Sequence, residues 1–295
     1  MVTPRDFHDA GAVTEYTAVS YTWKEPDHYW YDVSTEKFAV FEVNSRLLPV
    51  AGKLAYVLKA LYQLGVRSAW VDALCINQSD LAERGHQVER MREIYSSAQR
   101  VIIFLGTPSI YTDAFFKYVA DASCAVKGMS LAERFGLIEV LEHPYWTRAW
   151  DIQEIAEAHN IDILCGEQLV SWATFMRIFD LGEIKELLVN DRLHSQSPIQ
   201  QIRAINGFRE GPRMPLLQTL ISTRSAQATD PRDGVYAKLG LASDAAMLFP
   251  EPDHTLSAEQ VAQMFAVRYL TTKRDIYLIC LAEESWLKVP SWVPD

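Results

Sequence analysis

Three short stretches carry side chains whose types and spacing suit chemistry. The densest is Tyr145 to Ile155, "YWTRAWDIQEI", which follows Pro144. Trp150 and Glu154 stand four residues apart there, so on a helix they share one face. A carboxylate beside an indole is partly desolvated, which raises its pKa and strengthens its pull on a developing cation. Arg148, Asp151 and Gln153 load the same turn with polar groups. Spacing alone favours a packing helix whose tryptophan is core and whose glutamate is surface, since amphipathic helices supply such pairs freely. The other two stretches are "SYTW", Ser20 to Trp23, and "WVDALCINQ", Trp70 to Gln78. Tyr21 and Trp23 offer aromatic faces, which are more often core or rim. Asp72 sits inside an apolar run, where capping of the following loop is the simpler role.

These stretches need a scaffold that brings them together. "YTAVSYT" (16–22), "SAWVDAL" (68–74), "RVIIFLG" (100–106) and "IDILCG" (161–166) read as strands, with "KFAVFEV" and "RLLPV" as a hairpin around Asn44 and Ser45. Leu54, Val57, Leu58, Leu61 and Leu64 fall at helical spacing before Gly65. Asp80 and Glu83 open a further helix, with Val88, Met91, Tyr95 and Ala98 on one face. Weaker helical patterns cover 112–126 and 130–142, and a helix after Pro144 is expected to end near Asn160. Strands alternating with helices, two of them continuous apolar runs, predict an α/β fold with a mostly parallel sheet and helices on both faces. Ligands bind beyond the carboxyl ends of such strands. The first two stretches would then converge on one cleft with the third. Helical periodicity dominates after about residue 175, with Asp230-Pro231 as a helix start, a capping box at Ser257 and Gln260, and one late strand, "DIYLICLA". The expected division is a core over 1–175 and a mainly helical extension over 176–295.

Bulk properties narrow the function. A net charge of −10 argues against general affinity for nucleic acid or anionic membrane. The four cysteines lack CxxC spacing and the seven histidines form no HExxH, so neither a disulfide framework nor a metal is expected. GxxxxGK[ST], GxGxxG and GxSxG are absent. No run of 18 apolar residues and no apolar leader occurs, which predicts a cytoplasmic protein. The chain stops at "VPSWVPD" as a segment of a longer protein would.

In order along the chain, "YTAVSYTW", "WVDALCINQSDLAERGHQVERMREIYSSAQRVIIFLG", "YWTRAWDIQEIAEA", "ILCGEQLVSW", "ATDPRDGVYAKLGLAS" and "VPSWVPD" resemble the fungal heterokaryon incompatibility (HET) domain. Lys24 stands where that family usually has glycine, and Asp151 where a small or apolar residue is usual. The resemblance implies a role in programmed cell death or innate immunity, through self-association and a fused or separate receptor or regulatory domain.

HET domains are distantly similar to TIR domains, which implies a TIR-like (flavodoxin-like) sheet with 110–142 as an inserted helical segment. It also implies cleavage of the nicotinamide–ribose bond of NAD, with NAD as substrate and no cofactor. Nicotinamide departs neutral from a cationic pyridinium, so a single carboxylate suffices where a glycosidase usually needs two. On this resemblance Glu154 is the catalytic residue. Tyr21, Trp23, Asp72, Arg148, Trp150 and Gln153 are expected around the substrate, with Arg148 pairing with a phosphate and an aromatic stacking on a ring. The alternative of another class is an oligomerising signalling module without catalysis. A nuclease is disfavoured by the acidic balance.

Overall fold

Every residue of the strand Thr17–Tyr21 (β1) is buried, as a strand flanked on both sides within a sheet requires. The structure is a computed structural model and describes residues 15–22, 39–43, 45–50, 52–77, 79–121, 128–181, 197–249, 252–253, 255–282 and 287–294. The expected hairpin forms from Ala39–Val43 (β2) and Arg46–Val50 (β3), paired antiparallel. The main sheet adds Ala69–Val71 (β4), Arg100–Gly106 (β5), Ile161–Cys165 (β6) and Gln168–Ser171 (β7). Its order is β4-β1-β5-β6-β7. β4, β1, β5 and β6 run parallel, and only β7 is antiparallel, turning back on β6. The turn between β6 and β7 uses Gly166 at φ +58°, a conformation that favours glycine.

Counted by appearance within this sheet, the strands lie in the order 2-1-3-4-5. Strand order therefore reverses between β1 and β5, and the crevice beyond their carboxyl ends is the topological switch point.

Helices cover both faces. The helix Gly52–Gln63 (α1) packs Val57, Ala60 and Leu61 against Val19, Tyr21, Val71, Ile102 and Phe104. Trp70 points the opposite way from Val71 by strand alternation. It meets Tyr95 of the helix Leu81–Ser97 (α3) edge-to-face at 5.5 Å.

The strand expected over 68–74 ends at Val71. Asp72 instead begins a helical turn, Asp72–Cys75 (α2), in which its Oδ1 accepts the N–H of Ala73 at 2.7 Å and its carbonyl accepts that of Ile76. The α3 cap is half of the expected box. Asp80 Oδ1 accepts from Glu83 N, but Glu83 reaches the N–H of Asn77. Helices Ile110–Ala120 (α4) and Leu131–Leu141 (α5) each start on a serine capping box. A 3₁₀ turn, Pro144–Thr147, precedes the helix Ala149–Ala156 (α6), which stops four residues before Asn160. The helix Trp172–Arg177 (α7) stacks Phe175 on Trp146.

The chain divides into two compact units, Met1–Trp146 with Glu157–Pro198, and Thr147–Ala156 with Ile199–Asp295. The sheet lies in the first and α6 in the second. The second unit is helical among its described residues: Ser197–Glu210 (α8, from Ile199 on), Leu216–Ser222 (α9), Asp233–Leu239 (α10), Ala245–Leu248 (α11) and Ala258–Lys273 (α12). Its core joins Leu216, Tyr236, Leu248, Phe249, Phe265 and Leu278. Ser257 and Gln260 cap α12 reciprocally, as the sequence predicts.

The late strand is not formed. Tyr277–Leu281 is a 3₁₀ turn. Arg274 ends α12 in the left-handed region, and Asp275 turns the chain by accepting the N–H of Tyr277 and the hydroxyl of Tyr269. A strand needs a partner ladder, and no described residue of this unit supplies one. No described helix is long and apolar enough to cross a membrane.

Candidate functional site

In the first unit the polar groups gather where β1 and β5 end. Ser20 and Tyr145 share a hydrogen bond of 2.6 Å between their hydroxyls. Lys53, in the first turn of α1, donates from Nζ to Thr22 Oγ1 at 2.6 Å although only 8% of the residue is exposed. β5 ends on Gly106 at φ +102°, which excludes an ordinary side chain. A Cβ there would lie 3.9 Å from Lys53 Cε. His143 is the next titratable group. Its Nδ1 accepts the N–H of Tyr145 at 3.1 Å, and its ring bonds the backbone at Leu105. Burial first, and the charge of Lys53 second, push its pKa down to about 3. It is therefore a neutral, fully engaged ring that pins the 3₁₀ turn to β5, not a general base.

The expected site residues of this unit take different places. Tyr21 packs in the core with Val57, Leu61 and Phe104, so its ring belongs to the sheet's packing. Asp72 is half-buried and serves its own turn through Ala73. Trp23, Lys24 and Gln78 lie outside the described residues. Burial pushes the Cys165 thiol up to about 12, which leaves it inert as a nucleophile. Among the described residues no group of three or more His, Cys, Asp or Glu is arranged to hold a metal.

The second unit holds Arg148, Trp150, Gln153 and Glu154 on or beside α6. Six of its eight residues are buried, including Asp151, Gln153 and Glu154. That is more than an amphipathic surface helix would bury. The helix is held from three sides. At its start, Ala149 N donates to Gln227 O at 2.9 Å and Gln227 N returns a bond to Thr147 O. Along its flank, Trp150 Nε1 donates to Asp233 Oδ2 at 3.0 Å. At its end, Arg209 Nη1 donates to Ile155 O at 2.6 Å, where a cation suits the helix dipole.

Asp151, the unusual residue of the stretch, has a cation beside it. Arg148 Nη1 lies 2.8 Å from Asp151 Oδ1. The contact is one of charge. Arg148 is thus engaged by a buried carboxylate one turn away. Glu154 is 3% exposed and follows Trp150 by one helical turn. Lys238 of α10 is also buried, and burial lowers its pKa to about 8. Its Nζ donates to Gly234 O.

Asp233, Arg209, Lys53 and His143 were not singled out by sequence reasoning. Asp233 lies inside "DPRDGVYA", a stretch quoted above for its resemblance, and that was its only signal. The other three sit in ordinary helical or loop context with no local pattern around them.

Comparison with known proteins gives two matches. Residues 16–154 match the family model for the heterokaryon incompatibility protein (HET), and the match ends on Glu154. The chain is also 25% identical, over 366 aligned positions, to heterokaryon incompatibility protein 6, OR allele, of Neurospora crassa. That alignment covers 95% of this chain and 53% of the relative. The chain thus spans about half the length of the curated relative it matches. No solved structure matches the chain.

Proposed function

We propose, for a chain whose residues 16–154 belong to the heterokaryon incompatibility (HET) family, a role as a cell-death effector in incompatibility that cleaves the nicotinamide–ribose bond of NAD. The protein works in the cytoplasm and acts when self-assembled. A strand order of 2-1-3-4-5 is that of flavodoxin-like sheets, which supports the TIR-like reading of the first unit. The observation that carries the catalytic reading is Glu154, a carboxylate buried one helical turn beyond Trp150. Such a group stabilises an oxocarbenium-like transition state more strongly in a desolvated setting than in water. Trp150 and Gln153 then orient it, and the leaving nicotinamide needs no acid.

A second reading, an assembling signalling module without catalysis, is supported by the engagement of Trp150 with Asp233 and of Arg148 with Asp151. Both pairs make α6 a structural helix as well.

The deciding measurement is nicotinamide released from NAD by concentrated protein, beside a Glu154→Gln variant. Loss of one transition-state contact of this kind lowers the rate by about 10²-fold or more. Release by the wild type and its loss in the variant support the enzyme. No release under conditions that assemble the wild type leaves the signalling module, and equal release by both proteins removes Glu154 from the chemistry.

A further inference from the structure

The helix pair α4 and α5 turns an apolar face outward from the first unit. Ile110 and Leu131 are 77% and 70% exposed, and Phe135 and Tyr111 are 45% and 37% exposed. Phe135 follows Leu131 by four residues, so the two share one face of α5. The rings of Phe135 and Tyr111 lie 5.5 Å apart across the pair. That contact joins the α5 face to Tyr111 and its neighbour Ile110 at the start of α4. The platform beneath is fixed. Each helix starts on a reciprocal serine cap, Ser109 Oγ donates to Glu139 Oε2 at 2.8 Å, and the helices meet at Gly136 too closely to admit a Cβ. The core below is already filled by Phe115, Phe116, Leu137 and Val140, so the outer four side chains have no place to turn inward.

We propose that this face is where two copies of the chain associate about a twofold axis. At 150–250 Å² for a large side chain, the four residues expose roughly 500 Å² of apolar surface. A standard interface takes about 800 Å² from each partner, about 60% of it apolar, so one such patch on each copy is enough. Charge points to a second copy as the occupant. The chain as a whole carries −10, so two copies repel except through a surface whose charges balance locally. α4 carries Asp113 and Lys117, ion-paired at 2.6 Å, and α5 carries Glu133 and Arg134 in the turn between Leu131 and Phe135, with Glu139 held by Ser109. Both signs stand on each helix, so a twofold sets opposite charges against each other at the rim. A basic partner finds no excess of negative charge here. The proposal rests on the self-assembly in the reading above, and not on cleavage of NAD.

Analytical ultracentrifugation of the full chain over a range of concentrations reads the association directly. The wild type passes reversibly from monomer to dimer as its concentration rises. Ile110→Glu combined with Leu131→Glu places charge at the apolar centre and raises the dimer dissociation constant by about 10-fold or more. Leu47→Glu and Ile276→Glu, at exposed apolar positions elsewhere, leave it unchanged.

Hydroxyl-radical footprinting of the wild type, read by mass spectrometry, needs no variant that must fold. Oxidation of Tyr111, Leu131 and Phe135 falls as the dimer forms, and that of Leu47 does not. A dimer that persists in the folded double variant, or that forms without protecting these side chains, overturns the proposal and leaves self-assembly to another surface. A wild type that stays monomeric overturns both the proposal and the self-assembly it rests on. A monomeric double variant that releases nicotinamide as fast as the wild type keeps this interface and removes assembly from the enzyme reading.

Discussion

The indole of Trp150 donates to the carboxylate of Asp233, 83 residues further along the chain. That bond fixes α6 on α10 and sets the rotation of the helix that carries Glu154. Removing the acceptor leaves a part-buried N–H without it, at a cost of about 1–3 kcal/mol. Asp233→Ala is expected to lower stability by that amount in urea unfolding, and Trp150→Phe by a similar amount. The double variant should be less destabilised than the sum. Strict additivity of the two would show that the bond contributes nothing.

The second relationship is local. Arg148 has about a third of its side chain exposed (31%), whereas that of Asp151 has 2%. Arg148→Met withdraws the cation from a buried carboxylate, and breaking such pairs costs several kcal/mol. With the arginine part-exposed, about 2–4 kcal/mol is expected. Adding Asp151→Asn to Arg148→Met should recover most of the loss, because the charge that lacked compensation is gone. A double variant no more stable than Arg148→Met would mean that Asp151 is held by other groups.

The sequence was most readable where periodicity decides structure. β5 and β6 are apolar runs because parallel strands are covered on both faces, and α1 shows its packing stripe at Val57 and Leu61. β7 escaped because only Val170 of its four residues is buried and its identity comes from pairing with β6. "DIYLICLA" misled because a β-rich composition says nothing about whether a partner strand exists. The site divides in the same way. Trp150 and Glu154 share a helix face by i, i+4 geometry, and their proposed role comes from the resemblance, not from that spacing. Asp233 and Arg209 hold the same helix from 83 and 54 residues away, and no spacing rule reaches that far. Asp151 stood out as odd by comparison with its relatives, and only the structure places Arg148 against it.

Packing of α4 on α5 turns on Gly136. A Cβ at that position would come 2.1 Å from the carbonyl oxygen of Tyr111 and 2.6 Å from Phe115 Cβ. Both obstacles belong to the neighbouring helix and neither is the free end of a flexible side chain. Gly136→Ala should therefore separate the helices, although alanine is the better helix former. Overpacking of this kind costs about 1–3 kcal/mol or somewhat more. The midpoint of thermal unfolding should fall, and a variant as stable as the wild type would show that the helices separate without penalty.

His143 makes the protein sensitive to acid. The ring accepts from Tyr145 N through Nδ1, so in the neutral form its proton sits on Nε2. Burial, assisted by the charge of Lys53, holds the folded pKa near 3, against the ordinary 6.5. The unfolded chain therefore binds this proton first. The stability that His143 contributes is fully present above about pH 6.5 and is lost as pH falls from there toward 3.

Nitrogen NMR should show His143 as the Nε2-protonated tautomer, with no titration between pH 5 and 8. Unfolding free energies of wild type and His143→Asn should converge as pH drops from 6.5 to 4, because the variant lacks this proton uptake while sharing every carboxylate. A His143 resonance that titrates near pH 6.5 would show that the ring is not buried as described.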